Sequence, residues 1–123
     1  MQNRRQQFGK ESESTAIRYL KKNGYKILEQ NYRTKIGEID IIAKDKQTLV
    51  FVEVKARKSN FYGGPKWAVT PKKQRKISMV ALYYLKVTKQ NNVKARFDVV
   101  SITKADDKPI VEIVKNAFEL AYG

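Results

Sequence analysis

Three charged side chains interrupt two apolar runs that otherwise have the composition of buried strands. Asp40 lies in residues 37–43, GEIDIIA, and both Glu53 and Lys55 lie in residues 51–55, FVEVK. Asp is depleted from strands, and charged side chains are almost never fully buried unless they are paired or bind a metal. We therefore expect that a function keeps these three residues in place.

The polar stretch 44–47 between the two runs predicts a β-hairpin. If its loop is Lys46-Gln47, or the four residues 45–48, Asp40 lies opposite Glu53 and both side chains project from one face, with Cβ atoms about 4.5–5.5 Å apart. A loop of odd length would place them on opposite faces. Alternation along the strand puts Lys55 on the Glu53 face in either case.

This arrangement would bring two carboxylates and an ammonium group together at one end of a sheet. Two adjacent carboxylates repel unless a proton or a cation lies between them, and hard oxygen ligands suit Mg²⁺ or Mn²⁺. A metal that activates water, with Lys55 to position that water, has the parts needed to hydrolyse a phosphodiester. The alternative is a strand on which Glu53 and Lys55 simply face solvent.

A longer pattern resembles a nuclease superfamily. Asp40, twelve intervening residues and then Glu53-Val54-Lys55 resemble the core of the PD-(D/E)XK nucleases. These form the restriction-endonuclease-like superfamily, which includes archaeal Holliday-junction resolvases. From about residue 8 to 102 the chain is similar to the YraN-type family of small endonuclease-like proteins, although Ser12 stands where that family usually has Gly. The similar segments are 9–16, 24–25, 31–33, 37–40, 51–57 and 96–100.

The resemblance implies an α/β fold, a mixed β-sheet flanked by helices, and a role for each residue of the site. Asp40 and Glu53 would bind Mg²⁺ or Mn²⁺ with the backbone carbonyl of Val54, and Lys55 would orient the attacking water. Glu13 would complete the acidic cluster directly or through water. The sequence alone leaves Glu13 a second role, because a carboxylate near a helix N-terminus complements the helix dipole or caps the helix.

Composition points to a polyanionic partner. The 123 residues fit one domain, and Lys and Arg number 26 against 12 acidic residues, a formal net charge of +14. We expect nucleic acid, rather than anionic lipid, to be that partner. No apolar run is long enough to span a bilayer and no signal-peptide pattern begins the chain, which favours the cytoplasm. The absence of Cys and His excludes disulfides, the usual zinc sites and imidazole or thiol catalysis.

Periodicity predicts the order α-β-β-β-α-β-β in a single domain, 1–123, with residues 1–7 expected to fray. The first helix should run from about Lys10 to Asn23 and end at Gly24, with Glu13 beginning its inward stripe. The second helix should begin at the N-cap Thr70 with Pro71 at its first position. Strands are predicted at 25–33, around Asp40, around Glu53, at 96–103 and at 109–115, with a short closing helix at 116–122.

Basic residues gather after the Glu53 strand and at the start of the second helix. Four cations in a first helical turn oppose the helix dipole, so we interpret them as phosphate contacts, although a solvated charged face would have the same sequence. Phe61, Tyr62 and Trp67 in the intervening loop could stack on unpaired bases or pack in the core. The residues predicted to contact nucleic acid are Arg57, Lys58, Lys72, Lys73 and Arg75.

The sequence therefore predicts a metal-dependent endonuclease that acts on nucleic acid, with DNA as the expected substrate. Phosphate contacts carry no sequence information, so selection by structure, such as a branched junction, is favoured. A symmetric homodimer would cut two strands most easily. The alternatives are a nucleic-acid-binding module without catalysis and a scaffold whose basic face meets an acidic protein.

Overall fold

The computed structural model describes residues 4–57, 69–105 and 108–120, without the side chains of residues 4–8 and Ala105. The observed order of elements confirms the predicted α-β-β-β-α-β-β succession. In chain order the elements are α1 (Arg4–Lys22), β1 (Tyr25–Arg33), β2 (Glu38–Asp45), β3 (Thr48–Arg57), α2 (Pro71–Val87), β4 (Ala95–Ala105) and β5 (Lys108–Phe118).

The strands form one mixed sheet in the order β1-β2-β3-β4-β5. All neighbouring pairs are antiparallel except β3 and β4, which are parallel and are joined through α2. A parallel pair needs such a crossover, whereas antiparallel neighbours can be joined by tight turns. The α/β class with a helix-flanked mixed sheet is thus confirmed.

Each helix covers one face of the sheet, and β3 supplies apolar side chains to both layers. Val50 and Val52 pack in the layer beneath α1, with Leu20. Leu49 and Phe51 pack in the layer beneath α2. These β3 positions alternate because successive strand side chains point to opposite faces. The continuous apolar run before Glu53 is therefore the mark of a strand buried on both sides.

The predicted cap residues Gly24 and Thr70 match the structure, and α1 ends at Lys22, one residue before the predicted Asn23. Gly24 has φ +91°, the left-handed conformation expected of a C-terminal cap, and Thr70 caps α2 by accepting a hydrogen bond from the N–H of Lys73 over 3.2 Å. Helix α1 begins at Arg4 and not at Lys10. Its first residues are polar, so they gave no apolar periodicity from which the earlier start could be predicted.

The prediction of a short closing helix at 116–122 was wrong for the part of that range that the structure describes, 116–120. Strand β5 continues to Phe118, whose ring stacks on Phe97 of β4 at a centroid distance of 4.8 Å. Asn116 has φ 54°, and its backbone N–H donates to Asp98 Oδ1 over 2.9 Å. Pairing with β4 and burial of the Phe118 ring therefore favour extended backbone over the weak helical pattern.

Candidate active site

The turn between β2 and β3 has the even length on which the predicted site depends. Asp45 pairs with Thr48 across Lys46-Gln47, and Lys46 has φ 57°. Pairing continues to Ile41 and Val52, and the same register sets Asp40 opposite Glu53. The predicted hairpin is therefore confirmed, with the two-residue loop.

Asp40 lies where pairing between β2 and β3 ends. Its Oδ2 atom accepts a hydrogen bond from the backbone N–H of Val54 over 2.8 Å. A side-chain carboxylate thus satisfies a β3 donor that no longer has a β2 carbonyl as its partner. The hydrogen bond holds the Asp40 carboxylate against the backbone of the residue that follows Glu53.

Glu53 is a buried carboxyl group, with 7% of its surface exposed. Burial, its hydrogen bond with Asp40 and the negative charge of Asp40 raise the pKa of Glu53 to about 8, against the opposing effect of Lys73. Burial in low dielectric disfavours the charged form, and a second carboxylate adds to that effect. The environment of Glu53 therefore disfavours a second negative charge beside Asp40, which is the repulsion expected from their spacing.

Lys73 supplies a cation to this pair. Its Nζ atom lies 3.2 Å from Glu53 Oε2, and its side chain is 49% exposed. Burial is the largest single influence on the pKa of Lys73 and would lower it, but the charge and hydrogen bond of Glu53 and the charges of Asp40 and Glu38 together raise it. The sequence placed Lys73 among the phosphate contacts, whereas the structure brings it into the carboxylate site.

Glu13 lies near the pair, half-buried on α1. Burial and the charge of Asp40 raise the pKa of Glu13, and a hydrogen bond with Asn31 opposes the rise. The field of Asp40 therefore reaches Glu13. The described residues nevertheless contain no group of three or more carboxylates close enough to hold one metal ion together. The core of the candidate metal site is thus the Asp40 and Glu53 pair.

The donor set of the pair fits a hard divalent cation. Mg²⁺ is usually held by one or two carboxylates and keeps several waters, so a third protein carboxylate is not required. Asp40 and Glu53 would supply the carboxylate oxygens and Val54 a backbone carbonyl. The raised pKa of Glu53 shows that the pair disfavours two negative charges, which is the electrostatic demand that a cation meets.

The remaining predicted residues differ in their relation to the site. Lys55 is half-buried, and the β3–β4 register pairs Glu53 with Val99 and Lys55 with Ser101, so Lys55 has the same strand phase as Glu53. Lys72 is exposed on the first turn of α2. Arg57 and Arg75 are half-buried. Lys58, Phe61, Tyr62 and Trp67 lie outside the described residues.

Asp98 organises a second polar cluster that sequence reasoning did not interpret. Its side chain is fully buried and accepts hydrogen bonds from the Tyr25 hydroxyl over 2.8 Å and from Arg96 Nε over 2.9 Å. Arg96 also reaches Asp45 Oδ2 over 2.6 Å. The cluster joins β1, β2 and β4 on the face covered by α1, and every buried polar side-chain atom of the described residues has a partner. Arg96 and Asp98 interrupt the apolar run of residues 96–100, and these two charges could have indicated a buried ion pair from the sequence alone.

The chain belongs to the uncharacterised protein family UPF0102, whose model matches residues 12–102. This confirms the YraN-type resemblance. The chain is 56% identical over 119 residues to a UPF0102 protein of Desulfosudis oleivorans, covering 97% of this chain and 95% of that protein. It is 52% identical over 115 residues to one of Syntrophus aciditrophicus, with 94% and 91% covered. A Geobacter metallireducens relative is 54% identical over 114 residues, with 93% of each chain covered.

The names of these relatives give the family and state no activity. Among the described residues, neither helix is both long and apolar enough to cross a membrane.

Proposed function

We propose that this protein is a metal-dependent endonuclease of the restriction-endonuclease-like class, hydrolysing phosphodiester bonds in DNA. The observation that carries the proposal is the Asp40–Glu53 pair. Asp40 and Glu53 lie opposite each other at the point where two strands separate, the Asp40 carboxylate accepts a hydrogen bond from the Val54 N–H, and Glu53 is almost completely buried. A buried carboxyl group beside a second carboxylate is costly for folding, and two carboxylates are a ligand set that metal-assisted phosphoryl transfer can use.

Each residue of the proposed site has one role. Asp40, Glu53 and the Val54 carbonyl hold Mg²⁺ or Mn²⁺, which when bound would polarise the phosphoryl group and lower the pKa of a water. Lys55 orients the attacking water. Glu13 completes the acidic cluster through water, because it feels the charge of Asp40 without belonging to a compact group of three carboxylates.

Charge supports a nucleic-acid substrate. The net charge of +14 attracts a polyanion, and Lys72 and Arg75 lie on either side of Lys73 in the first turns of α2, the helix whose Lys73 contacts Glu53. Contacts to phosphate position a duplex but do not read its sequence, so we propose that the enzyme selects branched or otherwise distorted DNA. We also propose that the protein acts in the cytoplasm and that it forms a homodimer, which would allow it to cut two strands.

The decisive experiment incubates the protein with end-labelled linear, flapped and four-way DNA, with Mg²⁺, with Mn²⁺ and with chelator. We expect cleavage that requires the metal and is fastest on branched DNA. The matched control is Glu53→Gln, which keeps side-chain volume and removes the charge. Cleavage by wild type and Glu53→Gln at equal rates would refute the proposed site.

A nucleic-acid-binding module without catalysis is the second candidate. The contact between Lys73 and Glu53 favours it, because an internal ammonium already supplies part of the charge that a metal would supply. Tight DNA binding by a protein that cuts none of these substrates with either metal would support this candidate over the first.

A further inference from the structure

We propose that Lys73 is the internal counter-ion of the candidate metal site: it holds Glu53 while no metal is bound, and it releases Glu53 when a divalent cation binds. Lys73 therefore competes with the metal and sets its affinity. This inference rests on the metal-binding part of the proposed function.

The fold fixes the backbone position from which the Lys73 side chain reaches Glu53. Helix α2 begins at Pro71, and the Thr70 hydroxyl oxygen fixes its first turn by accepting a hydrogen bond from the backbone N–H of Lys73. The helix is held on the sheet by its own residues Ile77 and Val80, which belong to the same apolar cluster as Phe51 of β3. The backbone of Lys73 is thus held at a fixed position over β3, and its Nζ atom lies 3.2 Å from Glu53 Oε2.

The two ends of the contact differ in their exposure to water. Glu53 is almost fully buried, whereas half of the Lys73 side chain is exposed. A carboxylate that cannot be hydrated needs a cation, while an ammonium group with access to water can leave at small cost. Lys73 can therefore be displaced from a carboxylate that stays in place.

A divalent cation would meet Lys73 at the same carboxylate. Glu53 Oε2 lies 3.2 Å from the ammonium group, and the β2–β3 register places Glu53 opposite Asp40, the second proposed metal ligand. An ammonium group and a metal ion of charge +2 repel each other at such distances. Binding of the metal should consequently break or lengthen the contact between Lys73 and Glu53.

Calorimetric titration with Mn²⁺ at fixed pH and salt tests this competition in wild type, Lys73→Met and Lys72→Met. The two variants remove the same charge from the same helical turn, but Lys73 contacts Glu53 over 3.2 Å, whereas Lys72 is an exposed residue of that turn. We expect Mn²⁺ to bind Lys73→Met roughly three- to tenfold more tightly than Lys72→Met, the range of an ion pair with one partly exposed partner. Equal affinities, or weaker binding by Lys73→Met, would overturn the proposal.

Amine labelling of the wild-type protein gives a second readout that requires no variant to fold. Lys72 serves as the internal reference for acylation measured by mass spectrometry. The ratio of Lys73 to Lys72 labelling should increase at least about twofold when Mg²⁺ saturates the site, because acylation requires the neutral amine and the Glu53 carboxylate no longer favours the charged form of Lys73. An unchanged ratio in protein that calorimetry shows to be saturated would refute the release of Lys73.

These outcomes separate the inference from the proposed function. If the protein binds Mn²⁺ equally well with and without Lys73, the counter-ion role is refuted and the metal site stands. Protein that binds neither Mg²⁺ nor Mn²⁺ in any variant overturns both. If Lys73 weakens metal binding but the protein cuts no DNA, the counter-ion role of Lys73 stands and only the nuclease activity is refuted.

Discussion

The Asp40 carboxylate accepts a hydrogen bond from the backbone N–H of Val54 over 2.8 Å, in place of the carbonyl partner that a continuous strand pair would provide. The strand interruption and the candidate metal ligand are therefore one structural feature. Because Val54 follows Glu53 directly, the hydrogen bond also holds the Asp40 carboxylate beside the backbone that carries Glu53. A side chain at this position must accept a hydrogen bond, which Asn can do as well as Asp.

Asp40→Asn and Glu53→Gln should each separate binding from cleavage. Each substitution removes a negative charge while changing the side-chain volume little, so DNA should bind as tightly as wild type or more tightly. Cleavage should decrease at least about a hundredfold, since a bound metal ion is worth several kcal/mol to the transition state. Filter binding and single-turnover cleavage on the same substrate measure the two effects. Parallel loss of binding and cleavage would instead indicate that the fold had been damaged.

The stability of the metal-free protein should depend on the protonation of Glu53. The pKa of Glu53 is raised to about 8 from the ordinary value of 4.5, so between these pH values the folded state binds more protons than the unfolded state. The free energy of unfolding should therefore be highest at the acidic end of this window. It should decrease as pH rises toward 8, by at most about 1.4 kcal/mol per pH unit from this group.

Urea denaturation in chelator at pH 5, 6, 7 and 8 measures this dependence, with Glu53→Gln as the matched control. Glu13, whose pKa is also raised, contributes in the same direction and remains in both proteins. The difference between wild type and Glu53→Gln isolates Glu53. If both proteins lose the same stability across this range, the proton does not reside on the Asp40–Glu53 pair.

Local rules predicted the part of the site that lies within one hairpin. The register of Asp40 and Glu53 follows from an even loop and the period of two along a strand, and the structure has the loop Lys46-Gln47. The N-cap Thr70 and the core stripe of α2 follow in the same way from capping chemistry and the helical period. In each case the information lies within a few residues of the feature it determines.

The contacts that sequence reasoning missed join residues from separate elements. Lys73 reaches Glu53 across the β3–α2 connection, and no periodic pattern encodes that distance. Two features of the sequence could have suggested this contact. Lys73 is a cation in a first helical turn, where it opposes the helix dipole, and Glu53 lies in an apolar strand with no cation beside it to pair with. Tyr25 and Asp98 are likewise distant in sequence, so their hydrogen bond could not be predicted from either segment alone.

The Asp98 cluster should contribute to stability without taking part in metal binding. Tyr25→Phe removes one of several donors to a buried carboxylate and should lower the free energy of unfolding by about 1–2 kcal/mol. Asp98→Ala should lower it by about 3–5 kcal/mol, because it also removes the buried partner of Arg96. Denaturation measures both values. The Mn²⁺ affinity of folded Tyr25→Phe should equal that of wild type, and a changed affinity would connect this cluster to the site.

The basic surface at the start of α2 should make a measurable electrostatic contribution to DNA binding. Each cation that neutralises a phosphate contributes about −0.9 to the slope of log Kobs against log salt concentration on duplex DNA. Lys72→Ala with Arg75→Ala should therefore make the slope shallower by roughly two units and weaken binding to all sequences alike. Lys73 is left in place, because its contact with Glu53 would mix metal-site and phosphate effects.

The matched control for this measurement is Lys86→Ala with Lys94→Ala. It removes the same charge from exposed positions, and Lys86 lies about 21 Å from Lys72 along α2 at 1.5 Å per residue. The control should change the slope by much less, since these residues lie away from the Glu53 end of the helix. Equal slopes for the two double variants would mean that Lys72 and Arg75 are a solvated face, and phosphate contacts should then be sought at Arg57 and Lys58.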